Sequence, residues 1–482
     1  MSQDPAGGAA PYQQPYQPYQ PGQPVPAYPP GHPASYLPGQ YAPPPPSRFD
    51  WKRIGTLVGI PLIMAACGIG VLVWVGYRIG ITALIIGLVA AIIPVPVLVA
   101  CFLWLDRYEP EPIRNLAICL AWGACVATAG AVVIEWGMAR VLEQLHLTRD
   151  LIAVVGAPLA EESMKALGPV LLLVLTRRRA FSGVVDGIVY CGLSATGFAM
   201  MENILYLGGY GYAANAERGG TAAGLTGLVA VFIGRILLSG FAHPLFTAMT
   251  GIGLGVAARA ADRRVRWLAP IAGLVTAMIL HGTWNLMSTL ANNTGKLTIL
   301  LYGYFAVMMP IFLGMVGFAL WLRSWEGRLT QRILPQYVRA GWFAPPEVAT
   351  LRTIGRRQAA RTWAKRVAGE QGAAAMRGYQ FAATQLALLR DGMHRGLEHR
   401  PQDLAETLAE ERRLLDAIAG YRTVFTGRDP MAPRAVWDGS RYHVSFPDGA
   451  TRVFDPPAAP VVPTPVVLPA PPPPAFGYPA YG

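Results

Sequence analysis

Charge is what this sequence has least of. Only 14% of its 482 residues are Asp, Glu, Lys or Arg, whereas 53% are hydrophobic. That balance argues against an ordinary soluble domain and for a chain that crosses a membrane several times. Cysteine is scarce too. Cys67, Cys101, Cys119, Cys125 and Cys191 all fall in apolar runs and form no CxxC pair. Neither a disulfide framework nor a thiolate zinc site is expected, and the five read as small buried hydrophobes. The short-range H-E-x-x-H zinc arrangement is missing, as are the repeated halves with paired broken helices that mark many transporters. No basic segment followed by a short apolar stretch opens the sequence, so the first apolar run is expected to remain as an anchor. The net charge of +12 is not a nucleic-acid footprint, because the arginines gather in short blocks between apolar runs and along the C-terminal third. No nucleic-acid partner is expected.

What is present is a series of apolar runs, at about 54–76, 79–105, 113–136, 151–175, 183–207, 225–256, 266–290 and 298–322. Each reaches the ~20 residues that a bilayer core requires. The expected fold is an all-α polytopic membrane protein of about eight transmembrane helices, with a small cytoplasmic, mainly helical C-terminal region. Residues 1–50 form a Pro/Tyr/Gln-rich disordered tail, 51–325 the transmembrane core, 326–455 the helical region with a short β-hairpin, and 456–482 a Pro-rich disordered tail. The tails are candidate segments for binding unknown partners. Pro94 and Pro96 should bend the second run, and the sixth is long enough to tilt. Basic blocks at Arg48, Lys52 and Arg53, at Arg177-Arg178-Arg179, and at Arg259, Arg263, Arg264 and Arg266 place both termini in the cytoplasm of a plasma membrane. Between the second and third runs, Asp106 to Pro112 reads as a rigid acidic turn or a lid element. Residues 346–425 read as two or three helices with Leu386, Leu389, Leu404, Leu408, Leu414, Leu415 and Ile418 among their apolar positions. A hairpin is expected over 436–454, turning at Pro447-Asp448-Gly449.

The costliest residues stand in the fourth run. Glu161, Glu162 and Lys165 have mostly aliphatic neighbours, and each charge at the centre of a bilayer costs about 2.5–3.5 kcal/mol on insertion scales. A trio placed there must be paired, hydrated or used. Glu161 and Lys165 are i,i+4 with the acid N-terminal, the favourable order for a helical ion pair, and Glu162 is rotated by roughly 100°. On spacing alone, Lys165 neutralises Glu161 and leaves Glu162 as the freer carboxylate and general base. Other runs add Glu202 and Asn203, Arg235 as an internal counter-ion, His243 with Thr247 one turn on, and His281 with Asn285 one turn on. Pro244 should kink its helix and free the carbonyl of Gly240 beside His243. Asp186 should cap its helix, and Trp284 should pack. Taken singly, an intramembrane His or Asn is an interhelical hydrogen bond; together these residues suggest one hydrated site.

Two chemistries suit such a site. His243, His281 and Glu202 are candidate ligands of a catalytic zinc, with Glu162 as the base. Alternatively no metal binds: Glu162 activates water directly, while His243, His281 and Asn285 stabilise the oxyanion.

At these residues the sequence resembles the PrsW family of intramembrane proteases, related to the CAAX prenyl endopeptidase and bacteriocin-processing proteins. The resemblance runs through Glu161-Glu162-x-x-Lys165, Phe198-x-x-x-Glu202-Asn203, Arg235, His243 and His281-Gly282-x-Trp284-Asn285, with the acidic loop from Asp106 to Pro112, and covers roughly residues 100–325. It implies cleavage of membrane-anchored proteins in a bacterial-type cell membrane, an anti-sigma factor in the best-known case, with Glu161, Glu162, Glu202, His243 and His281 as functional positions. Metal and glutamate mechanisms both remain open. The expected function is therefore an intramembrane endopeptidase in contact with lipid and a membrane-anchored substrate. A proton- or ion-coupled transporter and a catalytically silent scaffold are the alternatives.

Overall fold

Lipid offers no partner to backbone N–H and C=O groups, so apolar crossing segments must satisfy them internally as helices. The computed structural model describes residues 51–455 except 147, 177–180, 182, 341, 398–400, 427, 430–433, 439 and 446–449. Both tails, the Arg177–Arg179 block and the expected Pro447-Asp448-Gly449 turn lie outside the described residues.

The chain begins with α1 (Trp51–Ile79), and Gly80, at φ 82°, turns it into α2 (Ile81–Ile92). A left-handed residue here is one that glycine adopts without strain. The second run breaks at Ile93–Pro94 before α3 (Val95–Leu105), as its prolines require. Next come α4 (Ile113–Ala121), α5 (Thr128–Gln144), the short α6 (Arg149–Leu151) and α7 (Ala157–Thr176), which carries the charged trio. The core continues with α8 (Val184–Ile204), α9 (Ala214–Phe232), α10 (Ala242–Ala258), α11 (Arg263–Thr294), α12 (Leu297–Gly303) and α13 (Met309–Ile333).

Among the described residues, six stretches are long and apolar enough to cross a membrane: Val58–Ile79, Ile81–Leu105, Ile113–Gln144, Val184–Ala258, Arg263–Thr294 and Leu297–Val338. The eight apolar runs become six for two reasons. Val184–Ala258 unites two of them, and α7 carries three charges within one crossing length. At 75 residues, Val184–Ala258 is far longer than one ~20-residue crossing. It is broken by non-helical backbone at Gly219–Gly220 and by a turn at 239–241.

Helix α8 is the axis of the core. All of its residues but Val184, Met200 and Glu202 are buried, and α2, α3, α4, α7 and α10 pack around it. Its crossing with α10 depends on glycine. A Cβ on Gly187 would lie 2.0 Å from the Gly251 carbonyl oxygen, and one on Gly251 would lie 2.3 Å from that of Gly187. Small residues let helix backbones approach this closely within lipid.

The C-terminal region adds α14 (Pro335–Arg339), α15 (Pro345–Thr350), α16 (Ile354–His394) and α17 (Pro401–Phe425). Leu386, Leu414, Leu415 and Ile418 lie in its core, whereas Leu404 and Leu408 are exposed. In place of a simple hairpin, β1 (Arg434–Trp437), β2 (Tyr442–Ser445) and β3 (Thr451–Phe454) form an antiparallel three-stranded sheet. The acidic loop 106–112 is the seam between this region and the membrane helices. The buried Arg357 donates from Nη1 to the Tyr108 carbonyl at 3.0 Å, and the Tyr108 hydroxyl donates to the Arg352 carbonyl at 3.2 Å. Within the loop, the Glu111 N–H donates to Asp106 Oδ2 at 2.7 Å, and the Tyr190 hydroxyl donates to Glu111 at 2.6 Å.

Two expectations follow. Gly187→Ala should lower stability by about 1–3 kcal/mol through overpacking, seen as a lower unfolding temperature in detergent; an unchanged temperature would refute the close crossing. Burial, with Asp186 nearby, pushes the Asp106 carboxyl up to about 8 and that of Glu111 up to about 10. A carboxyl raised by folding contributes stability that is complete below its ordinary pKa and is lost as pH rises through the folded value. The unfolding temperature should therefore fall between pH about 4 and about 10, and Asp106→Asn should flatten the part of that fall below pH about 8.

Candidate active site

Helix α7 presents Glu161, Glu162 and Lys165 to the interior, and two neighbours secure its backbone. Pro169 has no N–H, so the carbonyl of Lys165, one turn earlier, loses its helical partner. The Ser194 hydroxyl of α8 donates to that carbonyl at 2.8 Å. Trp122 Nε1 donates to the adjacent Met164 carbonyl at 2.9 Å. Neither Ser194 nor Trp122 stood out in the sequence, although Pro169 signals that some donor must come from elsewhere.

The Lys165 ammonium occupies the centre. It donates to Glu161 Oε2 at 2.9 Å, to Glu162 Oε1 at 2.9 Å and to His243 Nδ1 at 3.0 Å. It also lies 4.2 Å from the Phe198 ring centroid. All three ammonium hydrogens are thus used, and the ring face adds a cation–π contact. Lys165 and Glu162 are fully buried, with no exposed surface.

Helical spacing suggested that Lys165 neutralises Glu161 and leaves Glu162 the freer carboxylate; in the structure Lys165 bonds both. Glu162 is the more engaged carboxylate: besides Lys165, it accepts from Thr247 Oγ1 at 2.7 Å and meets His281 Nδ1 at 3.0 Å. Glu161 is bonded through Oε2 to Lys165, and His281 Nε2 lies 3.9 Å from that same oxygen. The reason is reach. A lysine can span both i,i+3 and i,i+4, and the partners from α10 and α11 sit on the Glu162 side.

The hydrogen-bond network sets the imidazole tautomers. His243 Nδ1 accepts from Lys165, so its Nε2–H donates to Glu202 Oε2 at 2.9 Å. His281 donates from Nδ1 to Glu162, which leaves Nε2 as an acceptor facing Glu161. The two rings meet edge to face with centroids 5.2 Å apart, and His281 stacks on Phe246. Glu202 also accepts from Arg235 Nη2 at 2.5 Å, while Arg235 Nε donates to Asn203 Oδ1 at 3.2 Å. Arg235 thus pairs with Glu202 inside the protein. The side chains of His243, Glu202 and Arg235 are 12%, 20% and 24% exposed, so the site opens on the Glu202–Arg235 side.

Two other residues are placed differently from the sequence reading, and one was missed. Asn285 donates to the Ala153 carbonyl at 2.8 Å, and beside it a Cβ on Gly282 would meet the Val154 carbonyl at 2.7 Å. Together they hold α11 against the π-helical turn Ile152–Gly156 that leads into α7. Pro244 does not kink a continuous helix. The break comes earlier, at 239–241, and Pro244 lies in the first turn of α10, where its missing N–H would have had no helical partner anyway. Glu135 of α5, which the sequence reading passed over, lies within electrostatic range of Glu161, Glu202 and Lys165.

One atom each from Glu161, His243 and His281 lies within 4.8 Å of the others, a possible His/Glu metal site. Glu202 is replaced by Glu161 in this set because its carboxylate is taken up by Arg235 and His243. Carboxylate and imidazole are donor types of catalytic zinc. The arrangement fits such an ion poorly, however: His243 Nδ1 and Glu161 Oε2 both bond the Lys165 ammonium, so a divalent ion between them would face a like charge in a medium of low dielectric.

Residues 111–315 match the family described as PrsW family intramembrane metalloprotease. The chain is 28% identical to Protease PrsW of Bacillus subtilis (strain 168) over 205 residues, which covers 42% of this chain and 83% of that one. It is also 28% identical to Protease PrsW of Geobacillus kaustophilus (strain HTA426) over 196 residues, 41% of this chain and 76% of that one. A third relative, Protease PrsW of Clostridioides difficile (strain 630), is 30% identical over 116 residues, 23% of this chain and 48% of that one. No solved structure matches the chain. Glu161, Glu162, Lys165, Glu202, His243 and His281 of this multi-pass membrane protein all fall between residues 111 and 315, the stretch that is similar to the PrsW family of intramembrane proteases.

Proposed function

We propose that the chain hydrolyses peptide bonds of membrane-anchored proteins at the Glu161–His281 side of this site, with water activated by protein groups alone. The observation that carries this reading is the convergence of two carboxylates, an ammonium and two imidazoles from α7, α10 and α11 on one buried position. Glu161 is the general base. Its carboxylate takes a proton from a water held between it and His281 Nε2, and the water oxygen bonds to the substrate carbonyl carbon as the C=O pair moves onto oxygen. When the tetrahedral intermediate collapses, the C–N bond breaks and the proton held by Glu161 passes to the leaving amine. Lys165 donates to both Glu161 and Glu162 and holds them in place, Glu162 fixes the His281 tautomer, and Glu202 with Arg235 orients His243. Asn285 and Asn203 position rather than react.

The same reading includes an orientation with both termini in the cytoplasm of the plasma membrane, supported by the Arg259–Arg266 block, and a division into a core over 51–325 and an appended region over 326–455. By family resemblance the substrate is a membrane-anchored anti-sigma factor.

Purified protein reconstituted with a single-pass test substrate should show these effects. Glu161→Gln should lower the cleavage rate by about 10²–10⁴-fold. Undiminished cleavage in both Glu161→Gln and Glu162→Gln would sink the assignment. Lys165→Met should lose cleavage and stability together, because removing one partner of a buried ion pair costs about 3–5 kcal/mol. Cleavage should persist in chelator; loss in chelator with recovery in zinc would replace the protein-only mechanism with a metal-bound water.

A further inference from the structure

At the Arg-rich end of the membrane helices, a cavity of about 570 Å³ lies between the core and the C-terminal region. Phe318, Trp321 and Leu322 of α13, with Val256 and Val265, form an apolar wall, and Arg259 and Arg395 supply guanidinium groups. Three crossing stretches, Val184–Ala258, Arg263–Thr294 and Leu297–Val338, contribute to the lining. The cavity therefore straddles the boundary between hydrocarbon and water. The Arg395 side chain is 42% exposed whereas Leu322 is buried, which orients the cavity with its charged end outward.

The charges are one-sided. Arg259 and Arg395 both donate to the carboxylate of Asp391, so two guanidiniums share one acid. Arg263, Arg264 and Arg266 stand within four residues of the lining in sequence, and Asp262 is the acid that lines the cavity. The lining itself carries two arginines and one aspartate. From these observations we infer that the cavity is a site for one anionic phospholipid, with its phosphate on Arg395 and Arg259 and an acyl chain along Phe318, Trp321 and Leu322. Guanidinium matches phosphate in bidentate geometry, and a basic pocket beside apolar helix faces suits an anionic headgroup with its chain attached. Tryptophan at this depth belongs to the interfacial aromatics of membrane proteins. Because Arg259 ends α10, which carries His243, and Arg395 caps α16, the bound phosphate joins the C-terminal region to a helix of the active site. The inference stands independently of the protease reading.

Native mass spectrometry of the full chain in detergent, titrated with phosphatidylglycerol or phosphatidylcholine of the same chains, tests it. One phosphatidylglycerol should be retained at about tenfold lower lipid excess than phosphatidylcholine. Arg395→Gln and Trp321→Ala, both changes of partly exposed side chains, should each reduce that preference several-fold with unfolding temperatures unchanged. Equal retention of the two lipids by the wild type would overturn the proposal, whatever the variants do. Unchanged preference in both variants would overturn it as well. So would displacement of the lipid by inorganic phosphate at equimolar concentration, which would reveal a site for the free anion.

Discussion

One ammonium organises the membrane core. Lys165 is buried with three acceptors, Glu161, Glu162 and His243, around it, and each of those acceptors would be costly in lipid without it. Isolated charges at this depth are strongly disfavoured, and pairing is what makes the cluster tolerable. The surroundings are arranged to hold that amine in place: Phe198 covers it, and Ser194 and Trp122 anchor the carbonyls of α7 around it.

Such a cluster has meaning only if separate helices arrive in register. Glycine at the α8–α10 crossing removes the side chains that would separate the two backbones, and the break at 239–241 frees α10 to start with His243 beside Lys165. Irregular backbone within the membrane is tolerable where it lines a protein interior. Here π-helical turns adjoin the site: Ile152–Gly156 precedes α7, Leu205–Ala213 follows Glu202, and Ile233–Leu238 carries Arg235. Turns of this kind recur at functional sites because they re-aim side chains at the expense of helical regularity.

The region beyond the family match is not a loose appendage. Arg357 reaches the backbone of Tyr108, and Asp391 ties to Arg259 at the end of α10. The acidic loop then passes the connection to α8 through Glu111 and Tyr190. Hydrogen bonds on either side of this loop thus tie it to the C-terminal helices and to the helix that bears Glu202.

Composition and hydropathy alone were enough to establish a polytopic helical membrane protein, and the cost of burying Glu161, Glu162, Lys165, Glu202, His243 and His281 was enough to single them out. Their division of labour was not legible. A helical wheel gives direction around one axis, whereas Thr247 and His281 reach Glu162 across 85 and 119 residues of sequence. Only packing brings them to that acid rather than to Glu161, draws Glu202 to Arg235 and His243, and sends Asn285 to a backbone carbonyl. Sequence determines which groups cannot be left in lipid; tertiary structure decides which partner each finds, because hydrogen bonds depend on ångström distances between helices that local periodicity does not specify.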